Sequence, residues 1–209
     1  MARKVQDEVR KNYGLGPAYH MTHVDNLERI LLAKGIKSKN SLGEVPHVDI
    51  SNPDVQEGRA GIKIQLSGRP LHDYVPFYFG FKTPMVACNQ DINNELIFLR
   101  VNLDILERPG TLFTDGNARS EKTKFFEFRS AKDLVVLDAK AINSVKYSGD
   151  TELKRRKQAE ILVPDFLPID EVFEIICFSN ETGKRVLEKL QKHAIRIAIS
   201  VNSGWYFKK

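Results

Sequence analysis

Lys157-Gln158-Ala159-Glu160-Ile161-Leu162-Val163 is a short strand-like run in which one carboxylate stands at the entrance to an otherwise apolar stretch. Directly upstream lies the basic stretch Lys154-Arg155-Arg156-Lys157. An acid in that position suits the steering of a cationic reaction centre, with lysines and arginines holding a polyanion alongside. The plain alternative is a solvated glutamate at a strand edge, since charged side chains are mostly exposed. The basic run likewise reads as a solvated helix face.

Working outward, Val75-Pro76-Phe77-Tyr78-Phe79-Gly80-Phe81 reads as a central strand with its proline at the entry. Leu96-Ile97-Phe98-Leu99-Arg100-Val101 is another strand, and Leu134-Val135-Val136-Leu137 a short one. Strands are also predicted over 172–178, 195–201 and Trp205-Tyr206-Phe207. Ala18-Tyr19-His20-Met21-Thr22 is a strand that hands over to a helix capped by Thr22, with Leu27, Ile30 and Leu31 on one face and Gly35 as the stop. Asn52-Pro53 starts a second helix reaching Ala60, and 181–193 a third, apolar at Val186, Leu187 and Leu190. Phe113-Thr114-Asp115-Gly116-Asn117-Ala118 is turn chemistry. Strands outnumber helices, and the helices cluster early and late. That pattern predicts a mixed α+β domain rather than a doubly wound sheet. No G-x-G-x-x-G or Walker A sequence is present, which excludes those nucleotide sites.

The 209 residues, 42% hydrophobic and 28% charged, contain no repeat or long linker, so a single domain over 1–209 is expected. A net charge of +5 permits a polyanionic partner without demanding one. Lys122, Lys124, Arg129, Lys132 and Lys146 are interleaved with Phe125, Phe126, Phe128 and Tyr147. Such mixing suits a single-stranded nucleic acid, although the same aromatics also read as core anchors. Cys88 and Cys177 show no C-x-x-C spacing and are expected as free thiols of a cytoplasmic protein. The charged opening Met1 to Arg10 has no apolar core of a signal peptide, and no run of ~18 apolar residues predicts a membrane span.

His20-x-x-His23 invites a metal reading, but residues three apart on a strand face opposite ways and no second cluster completes four ligands; no metal is expected. His20 and Thr22 share a face where a strand meets a helix N-terminus, a place suited to a phosphate-bearing ligand. The alternative for His20 is a hydrogen-bonded core histidine. Arg59, between Gly58 and Gly61, is either a surface charge or a group whose flanking backbone a ligand can approach.

Four segments in order resemble the DarT family, toxins that ADP-ribosylate DNA with NAD as donor. They are Tyr19-His20-Met21-Thr22-His23-Val24-Asp25-Asn26-Leu27, Asp73-Tyr74-Val75-Pro76-Phe77-Tyr78-Phe79 with Thr83-Pro84-Met85, the 113–118 turn, and 157–164. The resemblance implies an ADP-ribosyltransferase fold of two small splayed β-sheets with flanking helices and an NAD cleft between them. It assigns His20, Met21, Thr22 and Arg59 to NAD as co-substrate, with Asn26 and Arg29 as further contacts. It makes Glu160 the catalytic acid and gives Arg59 a second role at the target base. Residues 42–60 would cover the dinucleotide. Residues 116–160 would form a substrate-recognition loop placing Lys146, Tyr147, Lys154, Arg155, Arg156 and Lys157 on the DNA side. The implied acceptor is N3 of thymidine in single-stranded DNA, with guanosine left open, and the implied partner is a DarG-type macrodomain antitoxin. Two other readings stand beside it: an NAD-dependent RNA 2′-phosphotransferase of the same fold, and a nucleic-acid-binding module without catalysis.

Overall fold

In the computed structural model, residues 4–207 are described, so Met1, Ala2 and Arg3 of the charged opening lie outside the described residues. In chain order the strands are β1 Ala18–His23, β2 Gly35–Lys37, β3 Lys63–Ile64, β4 Arg69–Pro70, β5 Tyr74–Tyr78, β6 Leu96–Val101, β7 Leu112–Thr114, β8 Phe125–Glu127, β9 Glu160–Pro164, β10 Phe166–Pro168, β11 Val172–Cys177 and β12 Ala198–Val201. The α-helices are α1 Lys4–Tyr13, α2 Leu27–Leu32, α3 Lys39–Leu42, α4 Pro53–Ala60, α5 Pro84–Cys88, α6 Ala139–Asn143, α7 Thr151–Lys157 and α8 Asn180–Lys192.

Eight strands form one sheet in the order β12-β11-β6-β1-β5-β9-β7-β8, antiparallel throughout except for the β11–β12 pair. β10–β2 and β3–β4 make two further two-stranded sheets. The expectation of two small splayed sheets is therefore corrected to one eight-stranded mixed sheet plus two small ones. Its physical basis lies at the β1–β5 junction, where the ladder contains a single Cα pair, Tyr19 opposite Tyr78. β1 runs in full register along β6 and β5 along β9, so each half is well paired while their common seam is thin. Pro76 is the cause. It is the third residue of β5, not its entry as expected, and it has no N–H to give. The side chain of His20 makes up part of the lost pairing, with Nδ1 2.9 Å from the Pro76 carbonyl oxygen.

Alternation in the strands buries both faces. Ile97, Leu99 and Val101 of β6 enter the main core with Val75, Phe77, Ile161 and Val163, under Val9 of α1, Leu27 and Leu31 of α2, and Val186 and Leu190 of α8. Leu96 and Phe98 point the other way, to Tyr19, Met21, Val86, Ile176 and Tyr206. Cys88 is exposed, Cys177 buried, and both are free. Among the described residues no helix is long and apolar enough to cross a membrane.

Local departures from expectation have local reasons. Thr22 does not cap the first turn after β1; His23 does, its Nδ1 accepting from the Asp25 N–H at 3.2 Å. Residues 131–136 form a 3₁₀ helix rather than a strand, nucleated by a capping box between Ser130 and Asp133. Ser203–Trp205 is likewise 3₁₀, with Trp205 packed against Phe81 and Tyr19. The segment 116–160 carries β8, that 3₁₀ helix, α6 and α7.

Candidate active site

Glu160 opens β9 and is fully buried, so the solvated-edge alternative does not hold. The strand register sets it opposite Tyr78 of β5. Its N–H donates to Thr114 Oγ1 at 3.0 Å, and that hydroxyl donates to the Gly116 carbonyl at 2.7 Å. The 115–117 turn is thereby folded back so that the Ala118 N–H donates to Glu160 Oε1 at 2.9 Å. Arg59 completes the shell: Nη1 and Nη2 donate to Oε1 and Oε2, each at 3.0 Å. A carboxylate offers about four acceptor positions. Three are filled, and the fourth belongs to Oε2.

Arg59 reaches this position from the last turn of α4, a helix whose start follows the sequence signal. Asn52 caps it, accepting from the N–H groups of Asp54 and Val55, and Pro53 occupies the first turn. The Arg59 side chain is only 9% exposed. Burial by itself would lower its pKa, but the charge and hydrogen bonds of Glu160 outweigh that and raise it. The Tyr78 phenol across the strand pair is also pushed up, first by burial and then by the Glu160 charge, and stays a donor. Tyr78 and Ala118 fall within the segments that carry the resemblance, without a role given to either. Only the register and the Asp115-Gly116 turn bring them to the carboxylate.

Beside this pair is a cleft of about 530 Å³. Alternation aims Tyr74, Pro76 and Tyr78 of β5 into it, opposite His20, Met21 and Thr22 of β1; Arg59, Arg119, Lys154 and Gln158 complete the wall. The Pro76 carbonyl can only accept, so His20 Nδ1 carries the proton toward it and Nε2 keeps a lone pair. Burial, opposed by that carbonyl, lowers the His20 pKa and favours this neutral form.

The other residues singled out in the sequence are placed as follows. Asn26 lines the cleft, but its carboxamide is engaged: Nδ2 donates to the Val48 carbonyl at 2.8 Å and to Thr22 Oγ1 at 3.1 Å, and Oδ1 accepts from the Val48 N–H at 2.8 Å. It fastens the 43–52 segment to the cleft edge. Arg29 is exposed and is not part of the cleft wall. His23 lies near Asp25 and Glu95, the single group of three candidate metal ligands among the described residues. Both carboxylates there are already paired with Arg185, at 3.1 and 2.7 Å.

The basic run divides. Lys154 is exposed on the cleft wall. Arg155 pairs with Glu152 and Asp115, and Arg156 with Glu152 and Asp138. Lys157, expected on the DNA side, is corrected to an interior group. It is 1% exposed, with Nζ donating to the Ile142 carbonyl at 2.9 Å and lying 5.8 Å from the centre of the Tyr147 ring. Lys146 is exposed, and Tyr147 packs edge-on against Phe207.

Burial, reinforced by the charge of Lys82, pushes the Lys157 amine down to about 8 from 10.5. Below pH 8 both folded and unfolded chains carry this proton, and the cost of the buried ammonium is fully present. Between 8 and about 10.5 the unfolded chain holds a proton the folded one lacks, so this group makes stability rise with pH. The Cys177 thiol, raised from 9.0 to about 11 by burial, acts in the opposite sense above pH 9. Denaturation midpoints of wild type and Lys157→Met compared from pH 7 to 10 isolate the lysine: wild type gains on the variant as pH rises. A difference that does not change with pH would contradict this.

The chain matches the family model of ssDNA thymidine ADP-ribosyltransferase, DarT, over residues 19–207. It belongs to the DarT family. A DarT relative, the DNA ADP-ribosyl transferase of Thermus sp. (strain 2.9), is 31% identical over 203 residues, covering 91% of this chain and 96% of that one. A DNA ADP-ribosyl transferase-DNA ADP-ribosyl glycohydrolase fusion protein of Thermosipho africanus is 25% identical, across 86% of this chain and 47% of the fusion. Among solved structures, Thermus sp. 2.9 DarT in complex with ADP-ribosylated ssDNA superposes with a TM-score of 0.85 at 29% identity, covering 91% of this chain and 96% of that one. The same protein in complex with NAD+ gives 0.79 at 29% identity, covering 91% and 97%. As a DarT, the chain is a DNA ADP-ribosyltransferase whose acceptor is thymidine in single-stranded DNA.

Proposed function

We propose that the cleft between β1 and β5 binds NAD as co-substrate and that the buried Glu160–Arg59 pair beside it transfers ADP-ribose to N3 of thymidine. The observation that carries the reading is Glu160 itself, a fully buried carboxylate held by three donors with one acceptor position left on Oε2. The donors around the cleft suit a dinucleotide diphosphate: Arg119 and Lys154 have no acidic partner among the described residues, and the His20 ring is close by. Met21, Met85 and Tyr78 supply apolar surface for a flat ring. When bound, NAD supplies an activated ribose carbon with nicotinamide as its leaving group.

Glu160 then accepts a ribose hydroxyl at its free position and stabilises positive charge at that carbon as the glycosidic bond weakens. Fixed electrostatic groups of this kind are worth ~3–4 kcal/mol. Arg59 is a poor proton acceptor, because pairing with Glu160 holds its guanidinium protonated. Its role is to stabilise the negative charge that develops on the thymine ring as N3 passes its proton to solvent water and bonds to the ribose carbon that nicotinamide leaves. N3 is occupied in a Watson–Crick pair, which accounts for the preference for single strands or an extruded base. The glycohydrolase half of the fused relative supports a separate macrodomain antitoxin of the DarG type as the partner that reverses the modification.

The test is nicotinamide release from NAD in the presence of oligonucleotides. Single-stranded DNA containing thymidine is expected to yield nicotinamide and a DNA product one ADP-ribose heavier. DNA lacking thymidine, the matching duplex and RNA of the same sequence are expected to yield neither. Transfer to RNA in preference to DNA would shift the reading to the RNA-modifying alternative.

A further inference from the structure

We propose that Arg119 is a phosphate-anchoring residue of the cleft, held in place by the missing side chain at Gly58; the proposal rests on the reading that this cleft binds NAD and DNA. Arg119 directly follows Ala118, whose N–H binds Glu160, so the turn that completes the buried carboxylate's shell also carries this guanidinium. The turn is fastened to α7. The Arg119 N–H donates to Asn117 Oδ1 at 2.9 Å, Asn117 Nδ2 to Gln158 Oε1 at 3.0 Å, and Gln158 Nε2 to the Lys154 carbonyl at 2.9 Å. The Asn117 N–H also donates to the Arg155 carbonyl at 3.0 Å. These bonds hold Arg119 and Lys154 on one wall of the cleft.

The guanidinium lies against the backbone of α4. A Cβ added at Gly58 would stand 3.1 Å from Arg119 Cζ and 3.2 Å from Nη2, and nearer still to Nε. Glycine within a helix is unfavourable relative to alanine, and at this position it makes the space that the guanidinium occupies. The charges around it explain what the group is for. Arg59, Arg155 and Arg156 each have a carboxylate partner, whereas Arg119 and Lys154 have none among the described residues. Two cations without counter-charge at the edge of a cleft call for an anion, and the forked donors of a guanidinium match phosphate oxygens two at a time. The phosphate belongs either to the NAD diphosphate or to the DNA backbone.

Arg119→Gln and Gly58→Ala separate these sources and separate binding from folding. Arg119→Gln is expected to raise KM for one substrate roughly tenfold, more than it lowers kcat. A rise in KM for the oligonucleotide, with a salt dependence shallower by ~0.7 in logarithmic slope, assigns a DNA phosphate. A rise in KM for NAD assigns the diphosphate. Gly58→Ala displaces only the end of a flexible side chain, so its thermal midpoint should equal or exceed wild type while the same KM rises. The double variant should be no worse than Arg119→Gln, because both changes remove one interaction. If wild type modifies DNA and Arg119→Gln leaves both KM values within about twofold, the anchor is refuted. If only Gly58→Ala is silent, the positioning role of Gly58 is refuted. A wild-type protein that consumes no NAD and leaves DNA unmodified overturns the underlying reading instead.

Discussion

Glu160→Gln is expected to lower the rate of ADP-ribose transfer by roughly 10²–10³-fold, the loss typical when one preorganised electrostatic group is removed from a site. The substitution keeps the side chain's shape and its acceptor oxygen but removes the charge proposed to face the reacting ribose. Nicotinamide release and DNA modification should fall together, because the charge acts on the bond that breaks before either product appears. Binding of NAD should change much less, since the cations and apolar residues of the cleft are untouched. Stability should fall as well. Breaking a buried pair on one side leaves the Arg59 guanidinium desolvated without its counter-charge, a change that commonly costs ~3–5 kcal/mol. Rates are therefore to be compared at a temperature where circular dichroism shows both proteins folded. Turnover near the wild-type value would remove Glu160 from the chemistry.

Arg59→Lys is expected to retain the charge and lose most of the activity, by roughly 10²-fold. The two parallel 3.0 Å bonds to Glu160 require the fork of a guanidinium, which a single ammonium on a flexible stem does not reproduce. The carboxylate then loses its fixed orientation, and with it the cation proposed to stabilise the thymine anion. Arg59→Ala goes further, leaving Glu160 buried with only the Ala118 N–H, and its unfolding free energy should drop by ~3–5 kcal/mol. Chemical denaturation of the two variants tests this ordering. If Arg59→Lys keeps full activity, a point charge suffices and the bidentate geometry is not what matters.

Much of the fold was legible in the sequence because its strands carry their own signature. β6 and β11 are dense in β-branched and aromatic residues bounded by polar turns, α4 announces its start through Asn52-Pro53, and α8 shows itself through the apolar spacing of Val186 and Leu190. The misread elements were those that local propensity does not decide. Leu134-Val135-Val136-Leu137 is β-prone in composition, yet the Ser130–Asp133 capping box imposes a helical turn on it. The join between the two halves of the sheet was invisible for a different reason. It depends on a single register pair, Tyr19 with Tyr78, beside a proline that has no N–H to give, and on the His20 side chain, which donates to the Pro76 carbonyl.

At the site, the residue types were readable but their environments were not. Glu160 at the mouth of an apolar strand was ambiguous between solvent and interior until Arg59, 101 positions away in sequence, was brought to 3.0 Å. The four consecutive cations 154–157 look equivalent in one dimension. Helical geometry sends Lys154 to the cleft, Arg155 and Arg156 to nearby carboxylates, and Lys157 into the interior. Asn26 enters through the resemblance as an NAD contact, while in the chain its carboxamide is bonded to the Val48 backbone and to Thr22.

The most direct measurement is the fragmentation mass spectrum of a single-stranded oligonucleotide holding one thymidine, after incubation with NAD and either wild type or Glu160→Gln. One ADP-ribose on the thymine ring at N3 is predicted with wild type, and none at matched time with the variant. An adduct formed equally by both proteins, or located on another base or a terminal phosphate, would contradict the account.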